Sequence, residues 1–169
     1  MKNTFGILLF ILTPLMAFGQ HTFSIVAIDS ITKEVGSAGA TCGDAVLWPG
    51  TLGAALISDI IPGLGAIHTQ SYWNEQNQDK AHQKLLEGHN AEEIIDWLIN
   101  NDAENNSSIR QYGAITLIND TIKACAYTGE NCFGYKNHIV GDHYAIQGNI
   151  LLGQSILDSM ESRFLNTSG

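Results

Sequence analysis

Polar and apolar residues alternate in the first part of the chain that follows residue 21. Residues 22–29 read TFSIVAID, with frequent β-branched side chains, and predict a strand that is largely buried on both faces. The polar segment 30–34 predicts a turn. Residues 35–42 (VGSAGATC) predict a second strand, whose small side chains let another backbone or a ligand come close. The two strands together predict a hairpin.

The next part of the chain is less regular. Residues 43–65 are apolar and interrupted by Gly and Pro, and residues 52–61 within them fit either a strand or a short helix. Residues 66–70 predict a further short strand. The pattern therefore predicts strand structure here without fixing how residues 52–61 fold.

Two helices are predicted after these strands. The first covers residues 72–87, and Gly88 is placed to end it. The second has Asn90 as its N-cap, and Glu93 stands at the spacing of a capping box. Its apolar stripe, which predicts the face toward the core, is formed by Ile94, Ile95 and Leu98.

A second hairpin is predicted in the last third of the chain. Residues 111–118 and 121–127 form its strands, and Asn119-Asp120 can adopt the positive φ that a tight turn requires. Residues 144–151 are partly β-like. Helical spacing follows at Ile156, Leu157, Met160 and Phe164.

The order of these elements predicts an α+β fold with mainly antiparallel sheets covered by helices, formed as a single domain over residues 20–169. Strands and helices occur in blocks, which argues against a doubly wound parallel sheet. The sequence contains no GxGxxG or Walker pattern.

The N-terminus predicts an export signal over residues 1–19. A short positively charged start is followed by an apolar run over residues 5–18, and the small residues Ala17 and Gly19 have the spacing that signal peptidase requires. The alternative is a membrane anchor, but the run is too short to span a bilayer comfortably. We therefore expect a secreted or periplasmic protein whose mature chain begins at Gln20.

Charge and cysteine content limit the classes of partner. A formal net charge of −9 argues against nucleic acid and anionic membrane surfaces. Of the three cysteines, Cys125 and Cys132 could form a disulfide, and the alternative is that they and Cys42 are small buried residues. Their spacing is not that of a zinc site, so we predict no metal and no cofactor.

Thr22 is the first candidate catalytic residue. A threonine exposed by proteolysis offers a hydroxyl nucleophile and an α-amine, whose pKa near neutrality lets it accept the hydroxyl proton. Gln20 and His21 would precede Thr22 after signal cleavage, so this chemistry needs further trimming. The alternative is a threonine chosen for its strand propensity. Lys33 could lower the amine's pKa if it lies nearby, although a solvated turn residue is the simpler interpretation.

Polar residues in predicted strands are candidates for binding the substrate. Asn149 is predicted as a catalytic oxyanion donor, since buried amides at strand ends can stabilise developing negative charge. The alternative is that these amides satisfy buried backbone groups. The candidate substrate-binding residues are Ser24, His68, Gln70, Thr128 and Gln147.

Several short blocks, in order along the chain, resemble the domain-of-unknown-function family 1028. The blocks run from residue 22 to about residue 164, nearly the whole mature chain. They are Thr22-Phe23-Ser24-Ile25-Val26-Ala27, Gly63-x-Gly65-Ala66-x-x-Thr69-Gln70, Leu85-Leu86-x-Gly88, Arg110-Gln111-x-Gly113, Thr128-Gly129 with Cys132, and Gln147-Gly148-Asn149-x-Leu151.

The resemblance implies an αββα sandwich of the N-terminal-nucleophile (Ntn) hydrolase class, in which amide bonds are hydrolysed by an N-terminal Thr, Ser or Cys. Only Thr22 matches that position. In cytosolic relatives the corresponding threonine follows the initiator Met, whereas here it follows the predicted signal. Family members usually continue beyond the helix near Phe164, so the end at Gly169 is a second departure and raises the alternative of a truncated product. A homodimer could cover the face that missing strands would expose.

The sequence thus favours a secreted Ntn-type hydrolase acting on an amide bond in a small or peptide-like substrate. The alternative is a non-catalytic ligand-binding or assembly module on the same fold, and an inactive, degenerate relative is a third interpretation. A cysteine hydrolase using Cys42 is weaker, because no histidine is placed near it by sequence.

Overall fold

The computed structural model describes residues 21–42 and 53–167, and contains two four-stranded antiparallel sheets and three helices. The predicted signal peptide therefore lies outside the described residues. The helices are α1 (Glu75–Leu86), α2 (Ala91–Asn100) and α3 (Gln154–Asn166). The strands are β1 (Thr22–Ile28), β2 (Val35–Thr41), β3 (Ser58–Ile61), β4 (Gly65–Ser71), β5 (Arg110–Ile118), β6 (Thr121–Thr128), β7 (Tyr135–Gly141) and β8 (Tyr144–Leu151).

Each sheet is built around one of the predicted hairpins. The first sheet has the order β2-β1-β8-β7 and the second β3-β4-β5-β6. The β1–β2 and β5–β6 hairpins are confirmed. Asn119 and Asp120 have φ values of 50° and 62°, the left-handed conformation that a two-residue hairpin turn requires. The α+β class with antiparallel sheets is therefore confirmed.

Three apolar clusters hold the layers together. The outer face of the second sheet packs on α1 and α2, and the outer face of the first sheet packs on α3 around Leu157. A third cluster lies between the two sheets and joins Val26 and Ile28 of β1 to Ala66, Ile115 and Ala145. The two sheets therefore face each other, and the helices lie outside them.

The helix ends follow their capping residues. Asn90 accepts hydrogen bonds from the backbone of Glu92 and Glu93, and the predicted capping box of α2 is confirmed. Helix α1 begins three residues later than predicted, because Asn74 provides the N-cap. Gly88 has a φ of 84° just after α1, as its predicted role requires.

Three features could not be obtained from the pattern. Residues 53–57 form a 3₁₀ turn and residues 58–61 form β3, so the segment combines both alternatives. Strand β7 was not predicted, because its sequence YKNHIVG is mostly polar. The cysteines Cys42, Cys125 and Cys132 are free.

None of the described helices is both long and apolar enough to cross a membrane.

Candidate functional site

The space between the sheets is apolar at one end and polar at the other. The apolar end holds Val26 and Ile28 of β1, and the opposite end of the same strand presents Ser24 and Thr22. Burying a polar group costs free energy unless it is hydrogen-bonded, so a concentration of buried polar residues requires a specific hydrogen-bond network. The buried polar residues at this end, each at most 2% exposed, are Ser24, His68, Gln70, Gln111, Gln147 and Asn149.

Strand register explains why these residues meet. In the first sheet Thr22 lies opposite Asn149, and Ser24 lies opposite Gln147. In the second sheet Gln70 lies opposite Gln111. Because alternate residues of a strand share one face, each strand contributes its polar side chains to the same inter-sheet space.

Gln111 is the centre of the hydrogen-bond network. Its Oε1 accepts hydrogen bonds from Gln70 Nε2 at 2.7 Å and from Asn149 Nδ2 at 3.0 Å. Its Nε2 donates to Thr128 Oγ1 at 2.9 Å and to the Gly148 carbonyl at 2.9 Å. The side-chain amide of Gln111 thus links the two sheets, and hydrogen bonds to both its oxygen and its nitrogen fix its orientation.

Ser24 extends the network deeper between the sheets. Its hydroxyl donates to Gln70 Oε1 at 2.7 Å and accepts a hydrogen bond from Gln147 Nε2 at 2.6 Å. Gln147 reaches this position because Gly113 has no side chain, and a Cβ there would collide with the Gln147 amide. The Ser24 hydroxyl is therefore held in one orientation by two neighbours.

His68 lies beside Gln147 in the buried part of the network. Its Nδ1 is 3.4 Å from Gln147 Nε2, while His68 Nε2 and Gln147 Oε1 have no hydrogen-bond partner among the described residues. Burial lowers the pKa of His68 to about 4, so the imidazole is neutral at physiological pH.

Thr128 connects the network to a second histidine. Thr128 Oγ1 lies 2.8 Å from His138 Nδ1, and burial lowers the pKa of His138 as well. Strand β7, which carries His138, is therefore part of the site although the sequence did not predict it.

Thr22 stands at the outer edge of this polar region. It is half-buried, and its Oγ1 lies 2.9 Å from Thr41 Oγ1 of the neighbouring strand. The preceding residue continues the strand pairing, because the His21 carbonyl accepts a hydrogen bond from the Cys42 amide at 3.1 Å. While His21 is attached, the nitrogen of Thr22 is an amide and not a free amine.

Lys33 is not brought together with the other predicted residues. It lies in the turn at the far end of β1, where its ammonium is 3.7 Å from Asp120 Oδ1. The length of β1 alone, about 20 Å, separates it from Thr22. At that distance the charge of Lys33 is screened by solvent and cannot tune an amine at Thr22.

A buried ion pair supports the site at the start of β5. The carboxylate of Asp102 accepts hydrogen bonds from Arg110 Nε at 2.8 Å and from Asn77 Nδ2 at 2.6 Å. Burial opposes ionisation of Asp102, but these hydrogen bonds outweigh it and keep its pKa below the usual range. The arrangement fixes the backbone next to Gln111.

The sequence predicts most of the residues of this cluster, but it does not identify Gln111, Thr41 and His138 as site residues. Gln111 occurs in the block Arg110-Gln111-x-Gly113, and its signal is an amide side chain within a predicted strand. Thr41 and His138 gave no comparable signal, because a threonine ending a strand and an isolated histidine are both common.

Comparison with known proteins identifies a family for this chain but does not indicate an activity. The model of the family of unknown function DUF1028 matches residues 22–169. The crystal structure of a protein from Silicibacter pomeroyi, described as a member of that family, is similar with a TM-score of 0.74 and 23% identity. The alignment covers 88% of this chain and 64% of that one, so this chain spans less than two thirds of the solved protein. No curated protein matches the sequence.

Proposed function

Since this chain belongs to the family of unknown function DUF1028, we propose its function from the site itself: an Ntn-type hydrolase that cleaves an amide bond. The nucleophile would be the hydroxyl of Thr22, and the base would be the α-amine of the same residue after cleavage of the His21–Thr22 bond. The finer description of the fold, an αββα sandwich of the Ntn-hydrolase kind, is part of this proposal.

One observation carries the proposal. The half-buried hydroxyl of Thr22 stands at the edge of a buried, uncharged, hydrogen-bonded cluster that the apolar core of the fold does not require. Asn149 lies directly opposite Thr22 in the strand pairing. A nucleophile, a proton acceptor and an amide donor would then converge at one strand end, as acyl transfer requires.

The chemistry follows from these groups. The Thr22 amine takes the hydroxyl proton as Oγ1 attacks the carbonyl carbon of the substrate amide. The negative charge that develops on the carbonyl oxygen is stabilised by an N–H of Asn149 Nδ2, which uses its other hydrogen for Gln111. The ammonium then protonates the departing nitrogen, so the C–N bond breaks and an ester on Thr22 remains. Water attacks that ester by the same proton transfers and releases the acid.

The proposed setting is the periplasm or the cell exterior, on the strength of the signal-like residues 1–19. The substrate is a small or peptide-like amide. Ser24, Gln70, Gln147 and Thr128 position it indirectly, because their hydrogen bonds fix the orientation of the network that ends at Asn149.

A second candidate function is a non-catalytic ligand-binding module. It is favoured by the hydrogen bond between the Cys42 amide and the His21 carbonyl, which incorporates His21 into the strand pairing. While the His21–Thr22 peptide bond is intact, Thr22 has no free amine. In that case the polar cluster binds a ligand, and no acyl transfer occurs.

The deciding experiment is N-terminal sequencing and intact mass of the exported protein, followed by hydrolysis assays on a panel of aminoacyl p-nitroanilides. The proposal requires that the terminus left at Gln20 by signal cleavage be trimmed further, so that the active chain begins at Thr22. Thr22→Ala should reduce hydrolysis by about a thousandfold or more, while Thr22→Ser keeps a nucleophile and retains activity. Thr32→Ala, in an exposed turn, is the matched control. A mature chain that retains His21, or a fully active Thr22→Ala variant, overturns the hydrolase proposal.

A further inference from the structure

Exposed apolar side chains gather at the strand ends where Thr22 lies. Thr22 begins β1, and the antiparallel pairing brings the end of β8, the start of β7 and the end of β4 to the same end of the sheets. The large apolar residues exposed there are Tyr72 (40%), Phe133 (59%), Tyr135 (40%) and Leu152 (85%). Such a group of exposed apolar residues beside a polar cluster is typical of a binding surface.

Two of these side chains bridge the sheets. Tyr72 follows β4 of the second sheet, and Phe133 precedes β7 of the first. Their ring centroids are 5.3 Å apart with an interplanar angle of 44°. Phe133 is also tied to the candidate site, because its carbonyl accepts a hydrogen bond from the amide of Ile150, the residue after Asn149, at 2.9 Å.

The backbone that presents these rings is strained. Ser71, directly before Tyr72, has a φ of 72°, and Ile150 has a φ of 56°. Positive φ is uncommon for a serine and a clear outlier for a β-branched isoleucine. Strain of this kind is found where the surrounding structure enforces it for function. Here both strained residues directly follow amides of the polar network, Gln70 and Asn149.

The polar network next to the rings of Tyr72 and Phe133 contains no charged side chain. The network side chains are amides and hydroxyls, and His68 is neutral at physiological pH. The nearest buried cation, Arg110, is neutralised by Asp102 at 2.8 Å and Glu104 at 2.6 Å and donates to the Tyr72 carbonyl. A free carboxylate on the ligand would therefore find no charged side chain in the described part of the network.

We propose that Tyr72 and Phe133 form a subsite for an aromatic ring of a neutral amide, held over the polar network that begins at Thr22. This names the substrate class of the proposed hydrolase, and so it rests on the proposed function. Offset or edge-to-face stacking on the ring pair supplies the recognition, and the aromatic group lies next to the scissile amide.

The test separates binding from catalysis by using the Thr22→Ala protein, which lacks the nucleophile. The probes are N-acetyl-phenylalanine amide, N-acetyl-alanine amide and N-acetyl-glutamate amide, titrated by NMR. We expect the phenylalanine probe to bind about tenfold more tightly than the other two. Phe133→Ala and Tyr72→Ala, added to Thr22→Ala, should each remove that preference. Phe164→Ala, which truncates an aromatic residue on α3 that is as exposed as Tyr72, should leave the preference intact.

The outcomes distinguish this subsite from the proposed function. A phenylalanine preference that Phe133→Ala abolishes supports the subsite even if the wild-type protein hydrolyses nothing, which would overturn only the hydrolase. Hydrolysis of N-acetyl-alanine amide and N-acetyl-phenylalanine amide by the wild-type protein at equal rates would support the hydrolase and overturn the subsite. Failure of the folded protein to bind the phenylalanine probe, or a preference that persists in Phe133→Ala and Tyr72→Ala, also overturns it.

Discussion

Burial of His68 predicts a loss of stability in mild acid. The pKa of this imidazole falls from 6.5 to about 4 because the folded protein shields it from water. As pH falls below 6.5, the unfolded chain therefore binds a proton that the folded chain excludes. The contribution of neutral His68 to stability is complete above pH 6.5 and is lost progressively down to about pH 4, below which no further loss arises from this residue.

The size of the effect follows from the shift. Each unit of difference between the pKa values of the folded and unfolded chain corresponds to about 1.4 kcal/mol. The free energy of unfolding should therefore fall by about 3 kcal/mol between pH 7 and pH 4 through His68 alone. The buried carboxylate of Asp102 acts in a lower range, because its pKa is itself below the usual value and its contribution is lost only in stronger acid.

The assay is urea unfolding followed by tryptophan fluorescence at pH 7, 6, 5 and 4, for the wild-type protein and His68→Gln. Subtracting one series from the other removes His138 and the carboxylates, which both proteins share. We expect the wild type to lose about 3 kcal/mol more than the variant over this range. Parallel pH dependences for the two proteins would show that folding does not lower the pKa of His68, and would refute the reasoning.

Two further predictions concern the framework of the site. Asp102→Asn should lower the free energy of unfolding by about 3–5 kcal/mol in chemical denaturation, because it leaves the buried Arg110 with only the exposed Glu104 as an ionic partner. Asp158→Asn, at an exposed position, is the control, and a loss no greater than that of the control would contradict the importance of the buried pair. Asn90→Ala removes the capping box of α2 and should cost about 1 kcal/mol by the same measurement.

Local signals predicted much of the fold. The β5–β6 turn needed only the tolerance of Asn119 and Asp120 for positive φ, and α2 needed only its capping residues. Strand β7 escaped prediction because its edge position in the first sheet permits polar side chains on an exposed surface. A polar edge strand has no periodicity that distinguishes it from a loop.

The candidate site was predictable in its members but not in its arrangement. Alternation places Thr22 with Ser24, and Gln147 with Asn149, on common strand faces. That the two strands are neighbours follows from β1–β8 pairing, which joins residues more than a hundred positions apart in the chain and has no local signature. Gln111 was missed because its importance comes from contacts with both sheets, to Gln70 in one and to Gly148 and Asn149 in the other.

The fold does not require polar side chains at this end of the space between the sheets. The same strands pack at their other end through residues such as Val26 and Ile115, which shows that this sandwich can be closed with apolar side chains alone. The buried atoms His68 Nε2 and Gln147 Oε1, which have no hydrogen-bond partner among the described residues, and the positive φ at Ile150 both lower stability, and both occur in the half of the sandwich that carries Thr22. Two independent costs at one place are better explained by a function there than by the demands of folding, and this is why the site is assigned to that end of the sheets.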